Sequence, residues 1–195
     1  MFDNAMFLRV MSDIGIEINE EIKDGKFSKL VIKKETMTIN MCLSFPKVIS
    51  VDTLVFLRRK LADFFVSDNM YKKINIEFKY DDNSVDANLL NDYYDYILSV
   101  FETNKPRYSI LKPIHKSVVE DNIKLFVATD DEVQTISPLL VEINKIFKLY
   151  GLKSQCLVEI SNFEIPVQKL IDERINKDFT CLILLLFLLF FYFLF

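Results

Sequence analysis

The chain has 195 residues, 51% of them hydrophobic, and a formal net charge of −4. This length gives room for one ordinary domain or two small ones, and the apolar fraction is large enough for a buried core. The negative net charge argues against bulk electrostatic binding of nucleic acid. The charge is uneven, because residues 1–80 hold 13 basic and 11 acidic side chains (+2), whereas residues 81–195 hold 11 and 17 (−6).

Residues 1–80 predict the element order helix, strand, strand, helix, strand. The stretch from Phe2 to about Ile14 has helical spacing, with Met6, Val10 and Met11 on its apolar side. Two strands joined by a short turn then form a hairpin, and the second of them alternates apolar and polar residues, which is typical of a strand with one buried face. The remaining elements are a helix capped by Ser50, which carries Leu54, Leu57, Leu61, Phe64 and Phe65, and a strand in KINIEFKY.

Residues 85–162 predict the same order a second time. The supporting features are an N-cap at Asp86, a hairpin turn at Glu120-Asp121-Asn122, a helix from about Asp131 to Tyr150 whose main segment Pro138 opens, a stop at Gly151 and a strand at Cys156–Ile160. The sequence therefore predicts an α+β fold of two tandem small units, each with a three-stranded sheet under two helices. Each unit resembles a type II KH domain. Residues 81–84 are the expected linker.

Residues 166–195 predict one more helix that runs into an apolar tail. The tail, FTCLILLLFLLFFYFLF (Phe179–Phe195), only just reaches the minimum length of a transmembrane helix, about 17 residues. Its flank DERINKD mixes charges of both signs and gives no topology signal. A truncated or shifted reading frame in AT-rich DNA is the favoured origin of this Leu/Phe run, and a true membrane anchor is the alternative.

The sequence lacks the residue patterns of common catalytic sites. His115 is the single histidine and has no acid or nucleophile at a useful spacing. The acidic runs Thr129–Glu132 and Tyr80–Asp82 precede predicted helices, where carboxylates cap free N–H groups. Cys42, Cys156 and Cys181 fit reduced cysteines of a cytoplasmic protein. We therefore expect no enzyme activity, no metal and no cofactor for this chain.

Two short basic runs are the candidate docking residues. Arg58, Arg59 and Lys60 lie on the second predicted helix, and Lys72 and Lys73 follow the next loop. Such runs usually face solvent, and the functional reading is a patch that binds an acidic partner. A KH-type grip on RNA needs a GxxG loop, and neither unit has one.

Several stretches resemble a known family in order along the chain. They are KLVIKK, FPKVIS, LRRKL and KINIEFKY in the first unit, and VDANLLNDYYDYIL, EDNIKLFVATDDE and INKIFKLYGLKSQCLVEI in the second. Together they look like the N-terminal region of PolC-type bacterial DNA polymerase III alpha subunits, from roughly Phe2 to Asp178. The matching positions are core residues, so no partner-contacting residue is transferred.

The resemblance implies a non-catalytic part of a replicative polymerase. In that family the region precedes an OB domain, a PHP domain interrupted by a proofreading exonuclease, and the polymerase itself, and its KH-like first unit is implicated in docking to the clamp-loader tau subunit. This chain ends before those domains. We therefore expect a fragment that docks to tau in bacterial DNA replication. The alternatives are a tail-anchored membrane protein with a cytoplasmic partner-binding domain, and a single-stranded nucleic-acid binder.

Overall fold

The computed structural model of the chain describes residues 3–67 and 71–161. The described elements follow the predicted order twice: α1 (Asn4–Asp13), β1 (Lys26–Lys33), β2 (Thr38–Phe45), α2 (Val51–Ser67), β3 (Lys73–Tyr80), then α3 (Ala87–Asn104), a 3₁₀ helix (Pro106–Leu111), β4 (His115–Val119), β5 (Asn122–Val127), α4 (Asp130–Leu149) and β6 (Cys156–Ile160). The predicted α+β class is confirmed. The C-terminal helix predicted within residues 166–195 lies outside the described residues.

Two three-stranded sheets of the same topology form the two halves. Their strand orders are β1-β2-β3 and β4-β5-β6. In each sheet the first two strands are an antiparallel hairpin, and the third strand runs parallel to the central one. A parallel neighbour requires a crossover connection, which α2 and α4 supply. Each sheet is thereby tied to the helix that follows its hairpin.

The central position of β2 buries both of its faces. The alternation predicts an exposed polar face, yet Cys42 and Ser44 are only 4% and 5% exposed. Cys42 lies in register between Lys29 of β1 and Glu77 of β3. Small side chains on a central strand are shielded by the long side chains of the strands on either side.

The hairpins reach their register by local backbone adjustments. A bulge in β1 shifts the pairing between Phe27 and Lys29, which lets Phe27 and Leu30 face the same side. In the second hairpin, Glu120 and Asp121 both have positive φ and form a two-residue turn. Asn122, which the sequence placed in the turn, is the first residue of β5 and pairs with Val119.

The predicted helix caps are confirmed except for the run Tyr80–Asp82, whose Asp82 accepts from the Ser84 N–H in a turn instead of capping α3. Ser50, Asp86 and Thr129 each accept a hydrogen bond from a first-turn N–H group. Glu132 completes a capping box with Thr129, so the acidic run serves the helix end as predicted. Pro138 lies inside α4 instead of opening a segment. On α1, Phe7 and Met11 form the buried side, whereas Met6 is 43% exposed.

One continuous core joins the two halves up to Ile160. The Tyr93 hydroxyl of α3 donates a buried hydrogen bond to the Ile49 carbonyl at 2.9 Å. Gly151 lies so close to β3 that an added Cβ would be 2.5 Å from the Phe78 carbonyl oxygen. The division into units 1–80 and 85–162 stays a prediction. The described residues through Ile160 nevertheless pack as one compact body.

Candidate docking surfaces

The basic run on α2 does not form one patch. Consecutive helical residues are about 100° apart around the axis, so Arg58, Arg59 and Lys60 point in three directions. Arg58 is half-buried, and its Nη1 donates to the Tyr150 hydroxyl at 2.5 Å. Its guanidinium carbon lies 5.0 Å from the centre of the Tyr150 ring. Arg58 therefore links α2 to the end of α4.

The other predicted residues lie on separate parts of the surface. Arg59 is exposed, whereas Lys60 is half-buried with its Nζ 5.8 Å from the Phe56 ring centre. Lys72 and Lys73 are exposed at the start of β3, where the Lys72 N–H donates to the Met37 carbonyl at 2.8 Å. The structure thus leaves Arg59, Lys72 and Lys73 as exposed cations. Their part in docking stays a prediction.

A basic surface that the sequence-based candidates did not include lies between β3 and α4. We call it the lysine groove, defined by Lys79, Lys145, Lys148 and Lys153, all of which are exposed. Lys79 comes from the end of β3, Lys145 and Lys148 from one side of α4, and Lys153 from the loop after α4. Within the described part of the chain, none of these four lysines forms an ion pair.

The lysine groove consists of two adjoining concave regions of about 570 and 560 Å³. Both regions are lined by Lys145, Lys148 and Lys153 together with Leu152, which is 5% exposed. The first region continues along β3 to Tyr80. The groove therefore has the apolar Leu152 in its floor and four lysines around it, and Glu77 of β3 is an acidic residue in its lining.

Backbone contacts fix the walls of the lysine groove. Gly151 ends α4 with φ +81°, and the Leu152 N–H donates to the Phe147 carbonyl, which is the pattern of a Schellman motif. The Asn83 side chain spans the groove end, because its Nδ2 donates to the Gly151 carbonyl at 3.0 Å and its Oδ1 accepts from the Lys153 N–H at 3.1 Å. The predicted linker residue Asn83 thus holds the α4 terminus against the first sheet.

Three titratable groups next to this groove, Tyr80, Asp82 and Cys156, have structural roles. Burial raises the pKa of Tyr80 to about 12, which keeps its hydroxyl protonated well above pH 10. The Ser84 backbone N–H lowers the pKa of Asp82, which closes a local turn. Burial also raises the pKa of the Cys156 thiol, which keeps that sulfur a weak nucleophile.

The predicted candidates for catalysis and metal binding lie apart in the described residues. His115 is exposed on β4, and its ring centre lies 5.8 Å from that of Phe126. Within residues 3–67 and 71–161, no cluster of three or more histidine, cysteine or acidic side chains could hold a metal ion. The same residues contain no helix that combines the length and the apolar character needed to cross a bilayer. The tail Phe179–Phe195 lies outside them.

Comparison with known families gives one match. Residues 6–76 match the family described as DNA polymerase III polC-type N-terminus I, a stretch that runs from α1 into β3. The predicted resemblance to the PolC-type N-terminal region is thus confirmed for this stretch, which covers 71 of the 195 residues. No curated protein and no solved structure matches the chain.

Proposed function

We propose that this chain, whose residues 6–76 are a PolC-type N-terminal region, is a non-catalytic docking module of bacterial DNA replication that binds the clamp-loader tau subunit. The family match carries the proposal. It is supported by the exposed lysines of the lysine groove, because electrostatic complementarity speeds and orients protein association. Within residues 3–67 and 71–161 no group of three or more histidine, cysteine or acidic side chains could hold a metal ion.

The KH-like character of each half is part of this proposal. The order helix, strand, strand, helix, strand and the mixed sheet with a parallel third strand support a type II-like KH arrangement. Such a unit without the GxxG loop has a sheet-and-helix surface but no standard RNA grip. We therefore assign the two halves to protein binding in the cytoplasm.

A pull-down with the tau C-terminal region tests the docking function. The full chain should be kept in a mild non-ionic detergent, because residues 179–195 are almost entirely apolar. We expect capture of tau at tens of micromolar or better, typical of a transient complex, with weaker binding at high salt. No binding at tens of micromolar would remove the docking claim.

The second candidate is a tail-anchored membrane protein, and the apolar composition of Phe179–Phe195 is what favours it. Membrane fractionation separates the two functions. If the chain stays with membranes after a carbonate wash, and deletion of residues 179–195 releases it, then the tail is an anchor. Release of the full chain by the wash would reject this candidate.

A further inference from the structure

We propose that the lysine groove binds an extended, acidic segment of a partner protein. The inference deepens the proposed docking function, on which it rests for the identity of the partner, by naming the surface and the chemistry of the bound segment. It assigns the contact to Lys79, Lys145, Lys148 and Lys153, not to the basic run at Arg58.

Unpaired like charge is the first support for this site. Six described lysines pair with acids, as in Lys105–Glu142 and Lys112–Glu102, and others, such as Lys72, have no ion pair among the described residues. What distinguishes the groove is that four such lysines line one concave surface, two of them, Lys145 and Lys148, three residues apart on α4. Like charges at this spacing destabilise a helix by a few tenths of a kcal/mol, which the nearby helix C-terminus partly offsets. An acidic ligand would relieve this repulsion.

The shape of the groove is the second support. Its walls belong to both halves and are fixed by Asn83 and by the close approach of Gly151 to Phe78. A rigid groove loses little conformational entropy when it binds a ligand. The two regions share Leu152 and three lysines and together run from β3 at Tyr80 to Gln155 after α4, so the groove is elongated. An extended segment that alternates acidic and small side chains matches this arrangement.

The groove suits a protein segment better than single-stranded nucleic acid. Base binding without sequence preference needs exposed aromatic rings on which bases stack. The aromatic residues of the groove, Phe78 and Tyr80, are only 2% and 8% exposed. Both polar groups of the Asn83 side chain are already bonded to backbone groups, so neither is free to read a base edge.

Fluorescence anisotropy with a short labelled peptide of alternating Glu and Ala tests the proposal on the full chain in detergent. The variant is Lys145→Glu/Lys148→Glu. The matched control is Arg59→Glu/Lys72→Glu, which makes the same charge change at two exposed cations outside the groove. We expect the groove variant to weaken peptide binding about tenfold and the control less than about twofold. The wild-type chain should bind a peptide with Gln in place of Glu no more tightly than the groove variant binds the Glu peptide.

Circular dichroism establishes that each variant keeps its fold. If Lys145→Glu/Lys148→Glu loses its helical spectrum, Lys79→Glu/Lys153→Glu replaces it, because both of those lysines lie outside the helix. Equal weakening by groove and control variants would overturn the proposal, as would undiminished binding of the Gln peptide. An oligo(dT) strand that binds more tightly than the peptide and loses affinity in the groove variant would overturn it in favour of nucleic acid.

Binding of tau to the same variants separates this inference from the proposed function. If the wild-type chain does not bind tau, the proposed function fails, and the peptide titration still decides the groove. If tau binds the wild-type chain and the groove variant equally well, the groove inference fails and the docking function stands. If the groove variant loses tau binding and the control variant keeps it, both the groove inference and the docking function are supported.

Discussion

Adding a single methyl group at Gly151, as in Gly151→Ala, should force the two halves apart at this point. Its φ of +81° is a left-handed conformation, and an added Cβ would lie 2.5 Å from the Phe78 carbonyl oxygen and 2.8 Å from the Phe78 carbonyl carbon. Both neighbours are backbone atoms of β3, which cannot rotate away as a side chain can. Gly151→Ala therefore combines backbone strain with a forced separation of α4 from the first sheet.

Gly15 supplies a matched control for the backbone strain alone. It ends α1 in the same way, with φ +72° and with the Ile16 N–H donating to the Met11 carbonyl. A Cβ added there would meet nothing within 4 Å. Gly15→Ala should thus cost only the left-handed strain, about 1–2 kcal/mol. Gly151→Ala should cost about 1–3 kcal/mol more, the usual range for overpacking.

Thermal unfolding followed by circular dichroism measures both variants in the full chain. One kcal/mol corresponds to about 2–4 °C in a protein of this size, so Gly151→Ala should melt several degrees below Gly15→Ala. The chain has no tryptophan, which makes the far-ultraviolet signal the practical probe. Equal melting temperatures for the two variants would refute the reasoning that Gly151 packs directly on β3.

Three further perturbations probe the joint between the halves. Tyr93→Phe removes the buried hydrogen bond to the Ile49 carbonyl and should destabilise the fold by about 1–2 kcal/mol, measured by urea unfolding; a change below about 0.3 kcal/mol would contradict that bond. A double-mutant cycle of Arg58→Ala and Tyr150→Phe should give a coupling energy of about 1 kcal/mol, and simple additivity would show that the contact contributes nothing. At alkaline pH, stability should be constant up to about pH 10 and fall toward pH 12, because burial raises the pKa of Tyr80 to about 12 and the unfolded chain releases its proton first. The difference in tyrosine absorbance between the wild-type chain and a Tyr80→Phe variant follows that titration, and a difference that appears near pH 10 in the folded protein would reject it.

Sequence reasoning identified most of the secondary structure because its signals are local. The caps at Ser50, Asp86 and Thr129 and the stop at Gly151 each depend on residues within one helical turn. Strand alternation likewise needs only neighbouring residues. Sequence reasoning was wrong where it had to choose which of several neighbouring residues faces the core. Met6 was predicted to lie in the core, but Phe7 takes that place.

The candidate site was only partly accessible from sequence. The run Arg58-Arg59-Lys60 is easily seen in the sequence, but helix geometry points its side chains in three directions, and Arg58 donates a hydrogen bond to Tyr150. The lysine groove is the reverse case, because residues that are remote in sequence line one surface. Lys79 and Lys153 come from different halves of the chain. No window of sequence contains both residues, so no periodicity could have joined them.

By itself the sequence determined the α+β class, the repeated order of elements and the similarity of residues 6–76 to the PolC-type N-terminal region, since those depend on apolar spacing and residue preferences along the chain. Tertiary structure alone decided that the two halves share a core and that Gly151 lies against Phe78. It also decided which lysines face a common groove. The physical reason is that side-chain packing between remote segments fixes which faces meet, and local spacing leaves that choice open.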